Sequence, residues 1–376
     1  GHLDLRLEPI RLAREIAEMV ELVAHDLRSS GFRLELKLAD LVVLSQARLT
    51  NNERDFIADI LIRSLESVDI FIRQEIAERI AGFAEMPVQL QRYLVRDEIA
   101  VAGCLLEKVP HIQESLLLEA SQLGLEYRQI IARRDDLTQA VVDVLISFGE
   151  PEVIKEILKQ DDFVISCTGM DALVRRCENN EELALPLLRR SEIRLDHGLS
   201  MFWWVKTPLR KAILARFATD RSTIQEAMHS LFVEIFTSDD PDLQVKAVLT
   251  LIDRRHRPRG RNGEAVTMDI VEKTLRLAHR NPNEEFCHAV GLLAGVSSVT
   301  AGRALKDFSG EAFAILCKSI GISRTAFAAL FDEDEEDRDA VKYSEEKLED
   351  LVGVFDSIAR DYSRTILRYW DWRHDI

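Results

Sequence analysis

The sequence is poor in residues that break regular structure: its 376 residues include only 16 glycines and 9 prolines. Collagen, mucin-like chains and linker-dominated chains are therefore excluded, and an all-β sandwich, which needs many glycine and proline turns, is disfavoured. No segment approaches the roughly 18 consecutive apolar residues of a membrane span, and no apolar signal region follows a basic start. We therefore expect a protein without a membrane segment.

Cysteine and enzyme signatures are also scarce. The five cysteines are scattered at 104, 167, 177, 287 and 317 without any C-x-x-C pair, so they define neither a disulfide framework nor a zinc motif. This usage is typical of a reduced, cytoplasmic chain. There is no G-x-S-x-G, P-loop or H-E-x-x-H motif, and we interpret His279, Cys287 and His288 as ordinary side chains rather than metal ligands. We expect no enzyme activity, no cofactor and no metal, and a cytoplasmic location.

Basic residues are outnumbered, with 49 lysines and arginines against 65 acidic residues and a net charge of −16. A general nucleic-acid binder is normally basic, so this class is disfavoured. Half of the excess is local, because residues 332–350 contain eleven acids and three bases. We interpret 332–342 as a charged linker rather than a calcium loop: position six lacks glycine, and Tyr343 occupies the place of the bidentate glutamate.

What the sequence has in abundance is helical periodicity. Apolar residues recur at spacings of three and four, for example at Phe71, Ile72, Ile76, Ile80 and Phe83, and strand-like alternation is missing. The prolines fall between these apolar runs, where the first turn of a helix tolerates them. The spacing of Thr50 and Glu53 predicts a capping box at a helix start. The pattern predicts an all-α protein of short helices joined by tight turns.

Internal similarity indicates a repeat. Residues 73–79 and 128–134 match at five of seven positions at an offset of 55, and 133–137 resembles 189–193 at an offset of 56. Such an offset corresponds to two helical hairpins, and stacked hairpins bury apolar faces that one hairpin cannot bury alone. We place hairpins near 69–97, 98–123, 125–149, 150–179, 180–205, 207–232 and 241–256. A plain helical bundle is the alternative.

The predicted organisation has three parts. Residues 1–64 form an N-terminal helical cap, 65–256 form the HEAT-like repeat array (an α-solenoid), and 265–376 form a C-terminal helical unit. This last unit contains the acidic linker 332–342 and one long terminal helix from Ser344 to about Arg373.

Part of this pattern is shared with a known family. The shared residues are Thr50, Glu53, Arg54, Leu61, Leu65, Arg73, Ala77, Arg79, Ala81, Pro87, Leu90, Leu94, Asp97, Val101, Ala102, Ile131, Ala132, Arg133, Leu137, Val142, Leu145 and Gly149. Through them, roughly residues 50–220 resemble an alphaproteobacterial domain of unknown function that is predicted to form HEAT-like helical repeats, and the resemblance continues more weakly into the C-terminal unit. The chain departs from the family at Cys104 and at Met201–Val205. The resemblance implies fold and cytoplasmic, bacterial habitat, and it supplies no catalytic residues.

Two features are candidate partner-binding sites. Trp203 and Trp204 are adjacent, so on a helix their side chains diverge by about 100°, and we expect one of them to be accessible. The alternative is that both are buried between hairpins. Arg254, Arg255, Arg257, Arg259 and Arg261 form the densest positive cluster, which suits an acidic protein segment, a phosphate or the chain's own acidic run.

Residues 313–331 raise a DNA-binding alternative. Cys317, Gly321, Ile322 and Ser323 fit a helix-turn-helix that would direct Arg324 towards bases. The same Gly–aliphatic–Ser pattern also occurs at Gly295, however, and it is compatible with any tight turn between two helices.

We therefore expect a non-enzymatic adaptor or regulatory scaffold that binds a protein partner. A DNA-binding regulator that uses 313–331 and the arginine loop 254–261 is the alternative, and a homodimer through the C-terminal helix is a further option.

Overall fold

The computed structural model describes residues 34–44, 48–217, 239–242, 258–332 and 343–373, together with a few isolated residues near the N-terminus and Val245. Within these ranges the secondary structure is helical, apart from one isolated bridge between Arg259 and Ala265. The predicted all-α class is confirmed. No helix in the described ranges is both long and apolar enough to cross a membrane.

The chain divides into two compact units, residues 1–169 and 170–376. The helices of the first unit are α1 (Leu34–Val42), α2 (Asn51–Leu65), α3 (Ile70–Ile80), α4 (Val88–Val95), α5 (Ile99–Lys108), α6 (Glu114–Ser121), α7 (Leu125–Ala132), α8 (Gln139–Phe148) and α9 (Pro151–Leu158). Helix α10 (Cys167–Arg176) contains the boundary between the units.

In the first unit each helix packs against the next but one along the chain. Helices α1, α3, α5, α7 and α9 form one row of contacts, and α2, α4, α6 and α8 form a second. Apolar residues at helical spacing, such as Ile76, Ala77 and Ile80 of α3, are completely buried between them. The predicted hairpins 69–97, 98–123 and 125–149 enclose the helix pairs α3–α4, α5–α6 and α7–α8, but the consecutive helices that pack more closely are α4–α5, α6–α7 and α8–α9.

A recurrent arginine joins the start of a helix to the end of the preceding one. Arg54, Arg73 and Arg128 are each the fourth residue of their helix, and their guanidiniums donate to the carbonyls of Val42, Val68 and Ser121 respectively. The last carbonyls of a helix lack partners within that helix, so the arginine satisfies a group that burial would otherwise leave unpaired.

Carboxylates complete two of these links. Arg73 pairs with Asp97 at 2.8 Å, and Arg128 pairs with Glu150. Both acids stand at the start of the helix two positions later, α5 and α9, where negative charge also favours the helix N-terminus. Arg54 differs, because it lies over the Phe83 ring, and among the described residues nothing hydrogen-bonds to its Nε and Nη2.

A second set of side chains links neighbouring helices of the same row at their C-terminal ends. Arg134, which follows α7, donates to the carbonyls of Leu106 and Val109 and pairs with Asp136 at 2.7 Å. Gln160, which follows α9, donates to the Ala132 carbonyl at 2.6 Å. These bonds tie successive helices of one row at equivalent points.

The similarity of Arg79 and Arg134 in the sequence does not extend to their environments. Arg134 has only 4% of its side chain exposed, whereas Arg79 has 38% exposed and pairs with Asp40 and Glu75. Because Arg79 still lies within α3 and Arg134 lies beyond the end of α7, only the latter reaches a helix-end carbonyl.

The second unit contains a short 3-10 helix (Glu181–Leu183), α11 (Ala184–Leu188), α12 (Leu195–Met201), α13 (Thr207–Phe217), α14 (Met268–Arg280), α15 (Glu284–Ala294), α16 (Ser298–Leu305), α17 (Glu311–Ile320), α18 (Arg324–Ala329), α19 (Glu345–Ser357) and α20 (Arg360–Trp372). Helix α17 lies at its centre and contacts α15, α16, α19 and α20. Eight of its residues are buried, from Glu311 to Leu316 together with Cys317 and Ser319.

The single long terminal helix predicted from Ser344 to Arg373 is wrong, because the structure has two helices there. Ile358 adopts an extended conformation with ψ 129°, Ala359 is the N-cap of the second helix, and that helix begins at Arg360. The break buries Ile358 and lets both α19 and α20 pack on α17. One straight helix across this range would measure about 45 Å at 1.5 Å per residue, far longer than the ten-residue α17 that it would cover.

The boundary between the compact units, at 169 and 170, falls inside the range 65–256 that we assigned to one array. Residue 64 lies inside α2, within the first unit. The predicted boundaries near 64 and 256 stay predictions. Most of the predicted hairpin 241–256, the second half of 207–232 and the acidic linker from 333 lie outside the described residues.

Candidate functional site

The densest cluster of charged side chains in the described chain surrounds Arg210, the fourth residue of α13. Its guanidinium repeats the link seen in the first unit, since Nε donates to the carbonyls of Phe202 and Val205 just after α12. Nη1 also lies 2.8 Å from Asp307 and 3.2 Å from Glu311. These acids are separated from Arg210 by 97 and 101 residues, so α13 is joined to a distant part of the sequence.

Glu311 is ionised although only 1% of its side chain is exposed. Burial alone would raise its pKa, yet hydrogen bonds from Thr207, Lys347 and Ser309 outweigh that effect and leave the pKa below its usual value. Lys347 Nζ lies 2.9 Å from Glu311 and also donates to Thr207. The cluster is therefore a satisfied ionic network that holds α13, α17 and α19 together.

Trp203 belongs to an aromatic cluster beside this network. Its ring centroid lies 4.6 Å from that of Trp370 and 5.9 Å from that of Phe202, and the Arg303 guanidinium lies 4.1 Å over it. Burial, together with the charge of Arg210, lowers the pKa of Arg303. Trp370 donates to the Leu199 carbonyl at 3.1 Å, which fixes α20 against α12.

Neither predicted tryptophan is fully exposed, and neither is fully buried. Trp203 and Trp204 are both half-buried, while Met201 and Phe202 are completely buried. The indole Nε1 of Trp203 is shielded and finds no hydrogen-bond partner among the described residues. The structure thus places Trp203 in packing contacts, and Trp204 is the tryptophan of this pair without ring contacts in the described chain.

An open groove lies between α13 and α19, next to the ionic network. It has a volume of 390 Å³, and its walls are Lys211, Leu214 and Ala215 on one side and Asp350, Gly353 and Val354 on the other. This volume is within the range of about 300–1,000 Å³ found for ligand-binding clefts. No sequence pattern points to the groove, because Lys211 and Asp350 on its two walls are 139 residues apart and only the packing of their helices creates it.

The arginine loop is described only in part. Arg254, Arg255 and Arg257 lie outside the described residues. Arg259 and Arg261 are exposed on a tight turn, in which Gly260 N–H donates to the Glu264 carbonyl at 2.8 Å and Gly263 has φ +75°. Arg259 itself donates to the Gly263 carbonyl. A partner role for these arginines stays a prediction.

The helix pair at 313–331 has the predicted turn, with a glycine that ends the first helix and a serine that caps the second. Gly321 has φ +97°, and the Ser323 hydroxyl caps α18 by accepting from Ala326 N–H. The second helix is only six residues long, and Arg324 pairs with Asp356 of α19 at 2.8 Å. A DNA-reading role would require that pair to open, and it also stays a prediction.

Two histidines of the second unit, His279 and His197, make packing or hydrogen-bond contacts with neighbouring side chains. His279 stacks on Phe313 at 4.4 Å, and burial, followed by the charge of Arg280, lowers its pKa to about 4. His197 accepts from Arg194 N–H through Nδ1, while its Nε2 lies 2.7 Å from Asp171. Both of its ring nitrogens are therefore engaged. Among the described residues, no three His, Cys, Asp or Glu side chains are grouped to hold a metal.

Over the residues that the structure describes, the protein is helical, and its second unit is built around a buried ionic network. Residues 101–368 match the DUF2336 family, which is described as an uncharacterised protein conserved in bacteria. Because the match covers more than half of the chain, the protein belongs to this family. Neither the comparison with curated proteins nor that with solved structures found a match.

The family match revises the extent of the resemblance seen in the sequence. It begins at residue 101 rather than near 50, and it extends through the C-terminal unit to residue 368. It includes the whole of α13, α17 and α19, and therefore both the ionic network and the groove.

Proposed function

We propose that this protein is a non-enzymatic helical-repeat interaction module, a cytoplasmic adaptor or regulatory scaffold that binds a protein partner. The open groove between α13 and α19 carries the proposal, since it combines an apolar floor with charged edges, as partner-binding clefts do. Its walls are held in place before any partner arrives, because Arg210 and Lys347 anchor both helices to Glu311. Preorganised walls reduce the entropy lost on binding.

The repeat character is supported by the first unit. Its helices contact the next but one along the chain, and side chains such as Arg134 and Gln160 bond to the helix ends of the neighbour in the same row. Each helix thus depends mainly on its neighbours, which is the physical basis of HEAT-like arrays. Arrays of this kind present extended surfaces suited to protein partners.

Affinity capture from bacterial lysate with the intact chain as bait tests the proposal. The control bait is an unrelated all-helical protein of similar acidity, which corrects for retention by charge alone. We expect one protein to be retained in a defined ratio and to co-migrate with the chain in native separation. A chain that migrates alone and retains nothing above the control would contradict the proposal.

A further inference from the structure

The groove between α13 and α19 has one small residue on each of its walls. Ala215 and Gly353 are both exposed, and they lie on opposite walls beside the buried Leu214 and Val354. A Cβ atom added at Gly353 would meet no atom within 4 Å. The backbone of an incoming helix can therefore approach closely here, as it does wherever small residues line a helix contact.

The charges at the groove are mostly acidic. Lys211, the basic residue of its lining, lies against Asp350 and is thereby neutralised. Glu349 is exposed at the edge, and Glu345 and Glu346 are exposed further along the same helix. The sequence 332–350, to which all of these α19 acids belong, has eleven acids and three bases.

The neighbouring arginines of α13 do not offset this charge, because they are turned to other partners. Arg210 lies in the ionic network with Asp307 and Glu311, and Arg216 donates to the carbonyls of Leu188 and Arg190. The groove therefore combines an apolar, close-approach floor with an uncompensated acidic edge on one side. An occupant that buries its apolar face here must present cations to Glu349 and the acids beside it.

We infer that the groove between α13 and α19 binds a basic amphipathic helix of a protein partner. The inference rests on the proposed function and specifies its partner. Apolar residues of that helix at i, i+3, i+4 and i+7 lie over Ala215 and Gly353, and flanking lysines or arginines face Glu349.

The test uses the intact protein and two labelled model helices. Both peptides carry the same leucine stripe, one with lysines and the other with glutamates on the polar face, and binding is measured by fluorescence anisotropy at several salt concentrations. We expect the lysine peptide to bind and to weaken as salt rises, and the glutamate peptide to bind at least about tenfold more weakly.

Two variants with matched controls locate the binding. Gly353→Leu fills the groove, and Gly82→Leu, at another glycine whose added Cβ meets nothing within 4 Å, is its control. Glu349→Lys reverses the edge, and Glu284→Lys makes the same change on α15. We expect each groove variant to weaken the lysine peptide about tenfold or more and each control to leave it unchanged. Circular dichroism confirms that all four remain folded.

Three outcomes of the peptide-binding and sedimentation experiments overturn the inference. One is equal binding of the lysine and glutamate peptides, and another is indifference of lysine-peptide binding to Gly353→Leu. The third is a dimer of the free protein, seen by sedimentation, that Gly353→Leu dissociates, because the occupant is then a second copy of the chain. Capture of a partner that Gly353→Leu leaves intact overturns only this inference and not the proposed function, whereas the absence of any captured partner contradicts the function itself.

Discussion

Arg128 of the first unit and Arg210 of the second occupy the same helical position but pair over very different distances along the sequence. Arg128 pairs with Glu150, 22 residues away, whereas Arg210 pairs with acids 97 and 101 residues away. Both donate to a carbonyl at the end of the preceding helix. The bond from the arginine to the helix-end carbonyl is local in both units. The acid that pairs with the arginine is close in sequence in the first unit and distant in the second.

The acids that pair with these arginines are also more deeply buried in the second unit than in the first. Glu150 has 21% of its side chain exposed, whereas Asp307 has 7% and Glu311 only 1%. If the arginine is lost, water can solvate the partly exposed carboxylate of Glu150, but it cannot reach the buried carboxylates of Asp307 and Glu311. The ion pair in the second unit is therefore the one whose loss should cost more, since an uncompensated buried charge is strongly unfavourable.

The largest expected effect comes from replacing these arginines by methionine. Arg210→Met should lower the free energy of unfolding by about 3–5 kcal/mol, because it removes the cation that lies within 3.2 Å of both buried acids, Asp307 and Glu311. Arg128→Met should cost about 1–3 kcal/mol, since Glu150 reaches solvent. Urea denaturation of both variants gives the comparison, and equal losses would show that burial of the acid does not decide the cost.

A second expectation concerns acid sensitivity of the second unit. His279 has a folded-state pKa of about 4 against 6.5 when unfolded, so the unfolded chain binds the proton more readily. The stability that its neutral form provides is complete above about pH 6.5 and is lost as the pH falls towards 4. The difference is worth up to roughly 3 kcal/mol.

His279→Phe preserves an aromatic ring against Phe313 and cannot titrate. Between pH 7 and 4, its free energy of unfolding should therefore fall less than that of the wild type. Parallel pH profiles for the two proteins would show that protonation of His279 is not what destabilises the second unit in acid.

Arg54 offers a smaller test within the first unit. Its side chain is buried, one nitrogen donates to Val42, and no described acid completes the link that Asp97 and Glu150 complete elsewhere. Replacing a poorly paired buried charge by an apolar side chain is often neutral or stabilising by about 1 kcal/mol or more. We expect Arg54→Met to leave the melting temperature unchanged or raised, with Arg128→Met as the matched control. A loss as large as that of Arg128→Met would reveal an unrecognised partner of Arg54.

A comparison within the second unit concerns two glycines, and Gly353→Ala has the smallest expected effect. Gly353 lies inside α19 with open space around it, so Gly353→Ala should stabilise by roughly 0.5–1 kcal/mol. Gly321→Ala should destabilise by about 1–2 kcal/mol or more, because φ is +97° and a Cβ would lie 2.3 Å from Arg360 Cζ. Thermal melts of both variants should move in opposite directions. If both variants shifted the melting temperature in the same direction, the backbone conformation at Gly353 or at Gly321 would differ from the one described.

Much of the fold could be predicted from local signals. The capping box at Thr50 and Glu53 is present, with Thr50 N–H donating to Glu53 at 2.9 Å, and the helices of the first unit follow their apolar spacing. The repeated Arg73 and Arg128 were visible as similar sequence, although their bonds to helix-end carbonyls were not.

What could not be predicted depends on contacts between distant parts of the sequence. The break at Ile358 lacks glycine or proline, and it exists because two short helices cover α17 better than one long helix. The groove needs α13 and α19 side by side, and the half-buried state of Trp203 depends on Trp370. No pattern within a window of twenty residues contains this information.

The long separation between Arg210 and its acids also has a consequence during protein synthesis. The partner of Arg128 follows after 22 residues, so the links of the first unit can close almost as soon as their helices leave the ribosome. Arg210 must wait for another 97 residues before Asp307 is made, which takes about 5–20 s at bacterial elongation rates of roughly 5–20 residues per second. During that interval the Arg210 guanidinium has only the carbonyls of Phe202 and Val205 as partners, so the links of the second unit close later than those of the first.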